Sequence, residues 1–308
     1  MPPHKIKLLI VAKFEIGELG NGQTGEGELF YRHYFKKSES FEIRGLCAGD
    51  RLHVCGNAAM AVTREGKINA AGALSAILSD PRFDFSDTYI LSIGCAGTDF
   101  ETTVMGDVII GSAVVDGDYG HLIAENGELK WFKIEAGDQH AFKKLHPPTV
   151  VRALQIAKSV PVSSTPKTRD FMRRFNPQLD REPQILTGTI FSSDNYWKGK
   201  VFHDLAKQIT SAYPCPDPYK ASEMEESAIA VTADKFALLE RLIVIRVSVN
   251  LDEFMNGATA EKLWRSRNFS DNMNSEDNCE GADIFVPAMH NLFNVGRAVA
   301  DAILAGTF

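Results

Sequence analysis

The chain has 308 residues, 44% of them hydrophobic and 24% charged, and carries a net charge of -7. That balance supports a packed globular core. It argues against a general nucleic-acid binder, which needs a basic face to meet phosphates.

The first apolar run, Ile6–Ala12, reads as a buried strand. It is too short for a signal-peptide core, and Glu15 and Glu18 follow it instead of a small-residue cleavage site. Leu52–Cys55 and Ala59–Thr63 read as two further strands. Asn69–Leu78 reads as a helix that Asn69 can cap, with Ala70, Leu74, Ile77 and Leu78 on one face. Thr88–Ile93 and Val108–Val115 are predicted strands, the first running into Gly94-Cys95-Ala96-Gly97. Pro147–Val160 opens with a proline pair and predicts a helix. Ile185–Phe191 then reads as a strand and Val201–Ala212 as a helix. Ser222–Leu239 reads as a helix, Leu242–Asn250 as a β-branched strand buried on both faces, and Pro287–Ala305 as a closing helix with an apolar stripe. Met255–Asp283 is polar and reads as a mobile excursion from the fold, a candidate lid. Strands alternating with helices predict one α/β domain over residues 1–308. No run approaches the roughly 20 apolar residues that span a bilayer, so membrane insertion is not expected.

The five cysteines, Cys47, Cys55, Cys95, Cys215 and Cys279, contain no CxxC pair. That points away from a disulfide framework and towards a reducing, cytoplasmic setting. The eight histidines show no metal-ligand spacing, so no metal is assigned.

Ligands of α/β sheets bind at the carboxyl ends of strands, and four segments bring unusual residues there. Ser92 to Thr98 contains Cys95, Ala96 and Gly97, small residues that let a ligand approach the backbone; a tight turn would need the same residues. Ser192 to Trp197 offers Tyr196 and Trp197 as stacking surfaces for a planar ring, or as aromatics folded back on the core. Glu223, Met224 and Glu225 stand at a helix start, where the dipole accommodates acids. Glu225 lies three residues before Ala228 and four before Ile229, so it can share their inward face. A buried carboxylate needs hydrogen-bond donors, and two adjacent sugar hydroxyls are suitable. Last, Asn250 and Asp252 end a hydrophobic strand; an amide there can pair with a purine edge, or the two residues can simply form a turn.

These segments together resemble the nucleoside phosphorylase/nucleosidase superfamily. Glu223-Met224-Glu225 with Ala228-Ile229-Ala230 is similar to its ribose motif. Gly66-Lys67-Ile68-Asn69-Ala70-Ala71 resembles its glycine-lysine turn, Met105 to Ile110 the segment after its phosphate or water loop, and Ser192-Ser193-Asp194 with Tyr196 its base-stacking loop. More narrowly, the chain resembles the purine nucleoside permease branch. The carrying segments are Phe14 to Glu18, Pro81-Arg82-Phe83-Asp84, Leu186-Thr187-Gly188-Thr189 with Trp197 and Gly199, and Pro287 to Gly296.

The resemblance implies a three-layer α/β/α sandwich around a central mixed, partly barrel-like sheet, assembled as a homo-oligomer built from dimers or trimers. It implies a small-molecule nucleoside as partner, no resident cofactor, and phosphate as a possible co-substrate. Glu225 would hold the ribose 2′ and 3′ hydroxyls, Met224 would pack under the sugar, and Tyr196, with Trp197, would stack on the base. Asn250 falls where superfamily members usually carry a catalytic aspartate, with Asp252 as a substitute acid. Ser92 stands where phosphorylases place an arginine and Cys95 where a Ser or Thr phosphate contact is usual, which weakens the case for phosphorolysis. Arg32 and Arg64 remain candidates for a phosphate charge. Glu18, or Glu15, would serve water activation in a nucleosidase. Three readings follow: a nucleoside phosphorylase or nucleosidase, a nucleoside-binding protein that serves transport without turnover, and a fold homologue acting on a different heterocycle.

Overall fold

The computed structural model describes residues 2–135, 138–254 and 282–308; the polar stretch after Phe254, including Cys279, lies largely outside them. In chain order the strands are β1 His4–Lys5, β2 Leu8–Ala12, β3 Glu39–Phe41, β4 Leu52–Cys55, β5 Ala58–Val62, β6 Phe83–Asp84, β7 Tyr89–Thr98, β8 Val108–Asp116, β9 His121–Glu125, β10 Glu128–Phe132, β11 Phe142–Lys144, β12 Ile185–Ser192, β13 Tyr219–Glu223 and β14 Leu242–Leu251. The helices are α1 Glu28–Phe30, α2 Lys67–Leu78, α3 Asp138–Ala141, α4 Pro147–Ala157, α5 Pro166–Phe175, α6 Lys200–Ser211, α7 Glu226–Lys235 and the final helix Ala282–Ala305.

The large sheet runs β3-β4-β5-β2-β7 and then closes on itself. From β7 it passes to β14 in parallel, to β8 antiparallel, to β12 and β13 in parallel, and back to β7 antiparallel. The result is a five-stranded mixed barrel with an open sheet wing, the partly barrel-like sheet that the resemblance implies.

Alternation along each strand feeds two separate cores. Leu9 and Val11 point with Ala59, Ala61 and Ile90 towards Leu74 and Ile77 of α2 and Ile229 of α7. Leu8, Ile10 and Ala12 point with Met60, Leu91 and Ile93 towards Leu292, Val295 and Val299 of the final helix. A parallel sheet covered on both faces must be apolar at every position, which is why Leu8–Ala12 reads LLIVA and is buried throughout. Helix, sheet and helix form the three layers.

Several expected boundaries move. The helix expected from Asn69 begins at Lys67 and is capped by Gly66 at φ +91°, a backbone setting that favours glycine. Gly94 to Thr98, read as a turn, continues β7, because β14 and β13 pair with it on either side. The helix expected over Ser222–Leu239 is two elements: Ser222 and Glu223 end β13, and α7 starts at Glu226 with Glu225 as its N-cap. Pro287 lies inside the final helix and does not open it. Helix α5 and the β9-β10 hairpin were not expected; the hairpin has little apolar periodicity because nearly all of it is exposed.

Candidate active site

A cavity of about 190 Å³ opens where β2, β7, β13 and β14 end. It is lined by Cys95, Ala96 and Gly97 of β7, by Glu223 at the end of β13 and Met224 and Glu225 after it, by Asn250 of β14 and by Tyr196. These eight expected residues, scattered over 155 positions of sequence, thus share one wall system.

Glu225 is 6% exposed. Its Oε1 accepts the Gly66 N–H at 3.1 Å. Burial first, and the neighbouring Glu223 next, push its carboxyl up to about 8, against the pull of Arg246. Glu223 holds the start of α7 in place: its carboxylate accepts the N–H groups of Glu225 at 2.9 Å and Glu226 at 2.9 Å, and the Arg246 Nη2 at 2.6 Å. Arg246 also donates to Glu226 at 2.6 Å, and Glu226 accepts from Ser92 at 2.7 Å and Lys13 at 3.3 Å. Burial opposes charge on both Glu226 and Arg246. Lys13 and Arg246 together still keep Glu226 below the usual carboxylate range, and Glu223, Glu226 and Glu26 raise Arg246 above its own. This fully buried charge cluster beneath the cavity floor fixes the turn that presents Glu225.

The turn on the other side of the glutamate is equally anchored. The Lys67 N–H donates to Asp194 at 2.7 Å, and its ammonium pairs with Asp116 at 2.8 Å and Asp118 at 2.7 Å. Asp118 in turn accepts from Ser193 Oγ at 2.6 Å, so the glycine-lysine turn and the loop carrying Tyr196 form one bracket.

Strand β14 slips by one residue against β7 between Ser248 and Asn250. Such a bulge re-aims side chains. Here Asn250 Nδ2 donates to the Tyr196 hydroxyl at 3.0 Å. Gly97 explains its own identity: a Cβ there would sit 2.5 Å from Asp252 Oδ1, 2.9 Å from Ser222 Oγ and 3.0 Å from Asn250 Nδ2.

Three expected site residues lie off the cavity wall. Asp252 is fully buried behind Gly97, where its carboxylate accepts from the Tyr219 hydroxyl and from Ser222 at 2.9 Å. Burial lifts it to about 6 while those two hydroxyls hold it down. Trp197 packs into the core, 4.5 Å from the Phe191 ring and 5.2 Å from Phe202, and borders a small neighbouring hollow. Glu18 is exposed and lines a separate cleft with Asp50, Arg51 and His53, because the chain after β2 turns away at Gly17. The phosphate candidates are also committed elsewhere: Arg32 to Glu28 at 2.7 Å and Arg64 to Asp50 at 2.6 Å. Ser92 sits inside β7, bonded to Glu226, and not at the cavity.

Sequence reasoning missed Lys13, Phe14, Glu26, Val249 and Phe285, all of which line the cavity. Glu26 had a legible signal, an acid between Gly25 and Gly27. A Cβ on Gly25 would lie 2.2 Å from Glu15 Oε2, and one on Gly27 2.3 Å from Met60 Cε. Among the described residues, Asp99, Glu101 and His203 gather ligand atoms suited to a cation. Asp99 already accepts from the His203 ring at 2.9 Å, and Glu101 pairs with Lys207 at 2.5 Å.

Solved structures share this arrangement of strands and helices. The chain superposes on the 5′-methylthioadenosine/S-adenosylhomocysteine nucleosidase of Neisseria meningitidis with a TM-score of 0.59 and 15% identity, covering 96% of this chain and 99% of that one. The corresponding Helicobacter pylori nucleosidase gives 0.60 and 16%, covering 98% and 99%. Futalosine hydrolase of Helicobacter pylori gives 0.60 and 17%, covering 96% and 98%. The fold is therefore that of the nucleoside phosphorylases and nucleosidases. In sequence, the profile of the purine nucleoside permease family matches residues 5–307, and the chain belongs to that family. A Schizosaccharomyces pombe protein described as a probable purine nucleoside permease is 23% identical over 227 residues, 64% of this chain and 65% of its own length. The purine nucleoside permease of Candida albicans is 26% identical over 167 residues, 48% of this chain and 41% of its own length. The matches thus span less than two thirds of these relatives. Among the described residues, no helix is long and apolar enough to cross a membrane.

Proposed function

We propose that the cavity binds a nucleoside, with purines favoured, and breaks the bond between its base and sugar. The observation that carries this is Glu225: a buried carboxylate on the wall of a cavity that also holds Tyr196 and Asn250. Glu225 accepts the 2′ and 3′ hydroxyls, Met224 packs under the ribose, and Tyr196 lies against the base. Cleavage builds positive charge on the sugar and negative charge on the base. Carboxylates near the sugar stabilise the first, and the Asn250 amide stabilises the second by donating to the base edge. An amide delivers no proton, and Asp252 is held by Tyr219 and Ser222 behind Gly97. Asp252 therefore shapes the wall, in this reading, and Asn250 acts as a donor to an anionic leaving group.

Incubating purified protein with a nucleoside panel and separating the products by chromatography tests the proposal. Free base is expected from purine nucleosides. Glu225→Ala removes two hydrogen bonds to a charged acceptor, each contributing about 1.5–3 kcal/mol. It should weaken ribonucleoside binding roughly a hundredfold or more. Wild-type affinity in the Glu225→Ala protein would sink the assignment.

A second reading is binding without turnover, in keeping with the permease names of the sequence relatives. Asn250 favours it, because recognition survives where proton delivery does not. Calorimetry followed by chromatography of the same sample separates the two: tight binding with the glycosidic bond intact selects the second.

A further inference from the structure

We propose that the Asp50–Arg64 ion pair positions the sugar-binding carboxylate: it clamps a strained turn so that the Gly66 N–H stays on Glu225. This rests on the cavity being a nucleoside site with Glu225 on the sugar hydroxyls. Among the described residues, the Gly66 N–H at 3.1 Å is the one hydrogen-bond donor that the protein gives the Glu225 carboxylate. It occupies Oε1, so the orientation of the group depends on where residue 66 sits. Three non-glycine residues are left-handed among the described ones: Arg64 at φ +65°, Asn126 and Ala237. Asn126 stands in the turn of the β9-β10 hairpin and Ala237 just past the end of α7, both routine places for that conformation. Arg64 stands in neither setting. A residue with a side chain persists there only where its surroundings hold it.

The guanidinium of Arg64 supplies the hold. Its Nε donates to Asp50 Oδ2 at 2.7 Å and its Nη2 to Oδ1 at 2.6 Å, a two-pronged contact that fixes direction as well as distance. The Asp50 side chain is 7% exposed, so little solvent screens the pair. Nη2 also reaches the Gly17 carbonyl at 3.5 Å. Lys67 holds the far end of the turn, through its N–H on Asp194 at 2.7 Å; Asp50 holds the near end. Asp50 belongs to the loop before β4 and is not on the cavity wall, so it acts on the site only through Arg64. Released, the arginine relaxes out of the left-handed region, residue 66 swings, and its N–H leaves the carboxylate. Glu225 then loses a donor that favours its ionised form, the form that accepts sugar hydroxyls. A glycine at position 64 would take the same conformation at no steric cost and would need no clamp. The arginine makes the turn conditional on Asp50.

The test compares wild type with Asp50→Ala, Arg64→Gly and the double variant. Each is titrated with adenosine and inosine and with their 2′,3′-dideoxy counterparts, reading Kd, or KM where the nucleoside is cleaved. Asp50→Ala leaves the strained arginine without its partner. Its ribonucleoside affinity should fall about tenfold or more, while its dideoxynucleoside affinity holds. Arg64→Gly removes clamp and strain together and should cost no more than about threefold. The double variant should recover to the Arg64→Gly level, a gain that loss of a merely structural ion pair does not give. Wild-type ribonucleoside affinity in Asp50→Ala, equal losses for both kinds of nucleoside, or a double variant as weak as Asp50→Ala overturns the inference. Should wild type bind no nucleoside, the nucleoside reading fails, and the titration of Glu225 still decides on the clamp. Followed by carbon NMR in the ligand-free protein, that carboxyl should titrate above its wild-type position of about 8 in Asp50→Ala and return towards it in the double variant. An unmoved midpoint counts against the clamp. Glu223, Arg246 and Glu26, the charges that bear on the same carboxyl, are unchanged in every variant. Asp50→Asn covers poor folding of the alanine variant: it keeps the bulk and removes the charge, so its ribonucleoside affinity must also fall, and an unchanged affinity counts against the role.

Discussion

Glu225 is held by its surroundings in a state that a ligand would change. Its carboxyl stands at about 8 because burial and Glu223 both disfavour the charge. Sugar hydroxyls donate to a carboxylate and stabilise the ionised form. Below that pH the free protein carries the proton, so ribonucleoside binding must release it. Affinity should therefore fall as pH drops below 8, by up to about tenfold per unit, and level off above it. Calorimetry in buffers of different ionisation enthalpy measures the proton directly, and a flat affinity profile with no release refutes the coupling. The inward turn of Glu225 was legible, since small and apolar residues follow it at helical spacing. Arg246 was not, because it stands within a run of β-branched residues and its partners Glu223 and Glu226 come from 20 to 23 positions away.

At the scale of elements, site and scaffold separate. The final helix covers one sheet face with Leu292, Val295 and Val299, and none of the three lines the cavity. Leu292→Ala should lower unfolding free energy by about 2–5 kcal/mol while leaving nucleoside affinity in the folded protein unchanged. Denaturant melts and calorimetry on the same preparation check both halves. Strands β2, β4 and β5 of the open wing were legible to within two residues, β2 and β5 because burial on both faces leaves an unbroken apolar run; the exposed β3 was not expected. Strand β7 was read five residues too short, since Gly94-Cys95-Ala96-Gly97 carries turn residues whose smallness serves Arg246, Glu26 and Asp252. The division between β13 and α7 was also hidden. Nothing local distinguishes Ser222-Glu223 as strand from the acids that open a helix; the pairing of β13 with β7 and β12 decides it. The bulge at Asn250 is likewise a property of two strands and has no signature in one.

For the whole molecule, charge sets what can enter. The net charge is -7, and the cavity wall carries Glu26, Glu65 and Glu223, joined by Glu225 as its proton leaves above about pH 8. Nucleoside 5′-monophosphates should therefore bind at least about tenfold more weakly than the parent nucleosides, with the gap narrowing as salt screens the exposed part of the field. Competition assays at two ionic strengths measure it; equal affinities would mean that the acids are neutralised in the working site. The barrel that frames this cavity has a further consequence. Its ring closes only when β14 slots between β7 and β8, more than 120 residues behind them in the chain. Until synthesis has passed Leu251, the pocket lacks the wall that bears Asn250. Chains cut short of that point should be recognisable by a ligand that no longer protects them from proteolysis, however much of the earlier sheet has formed.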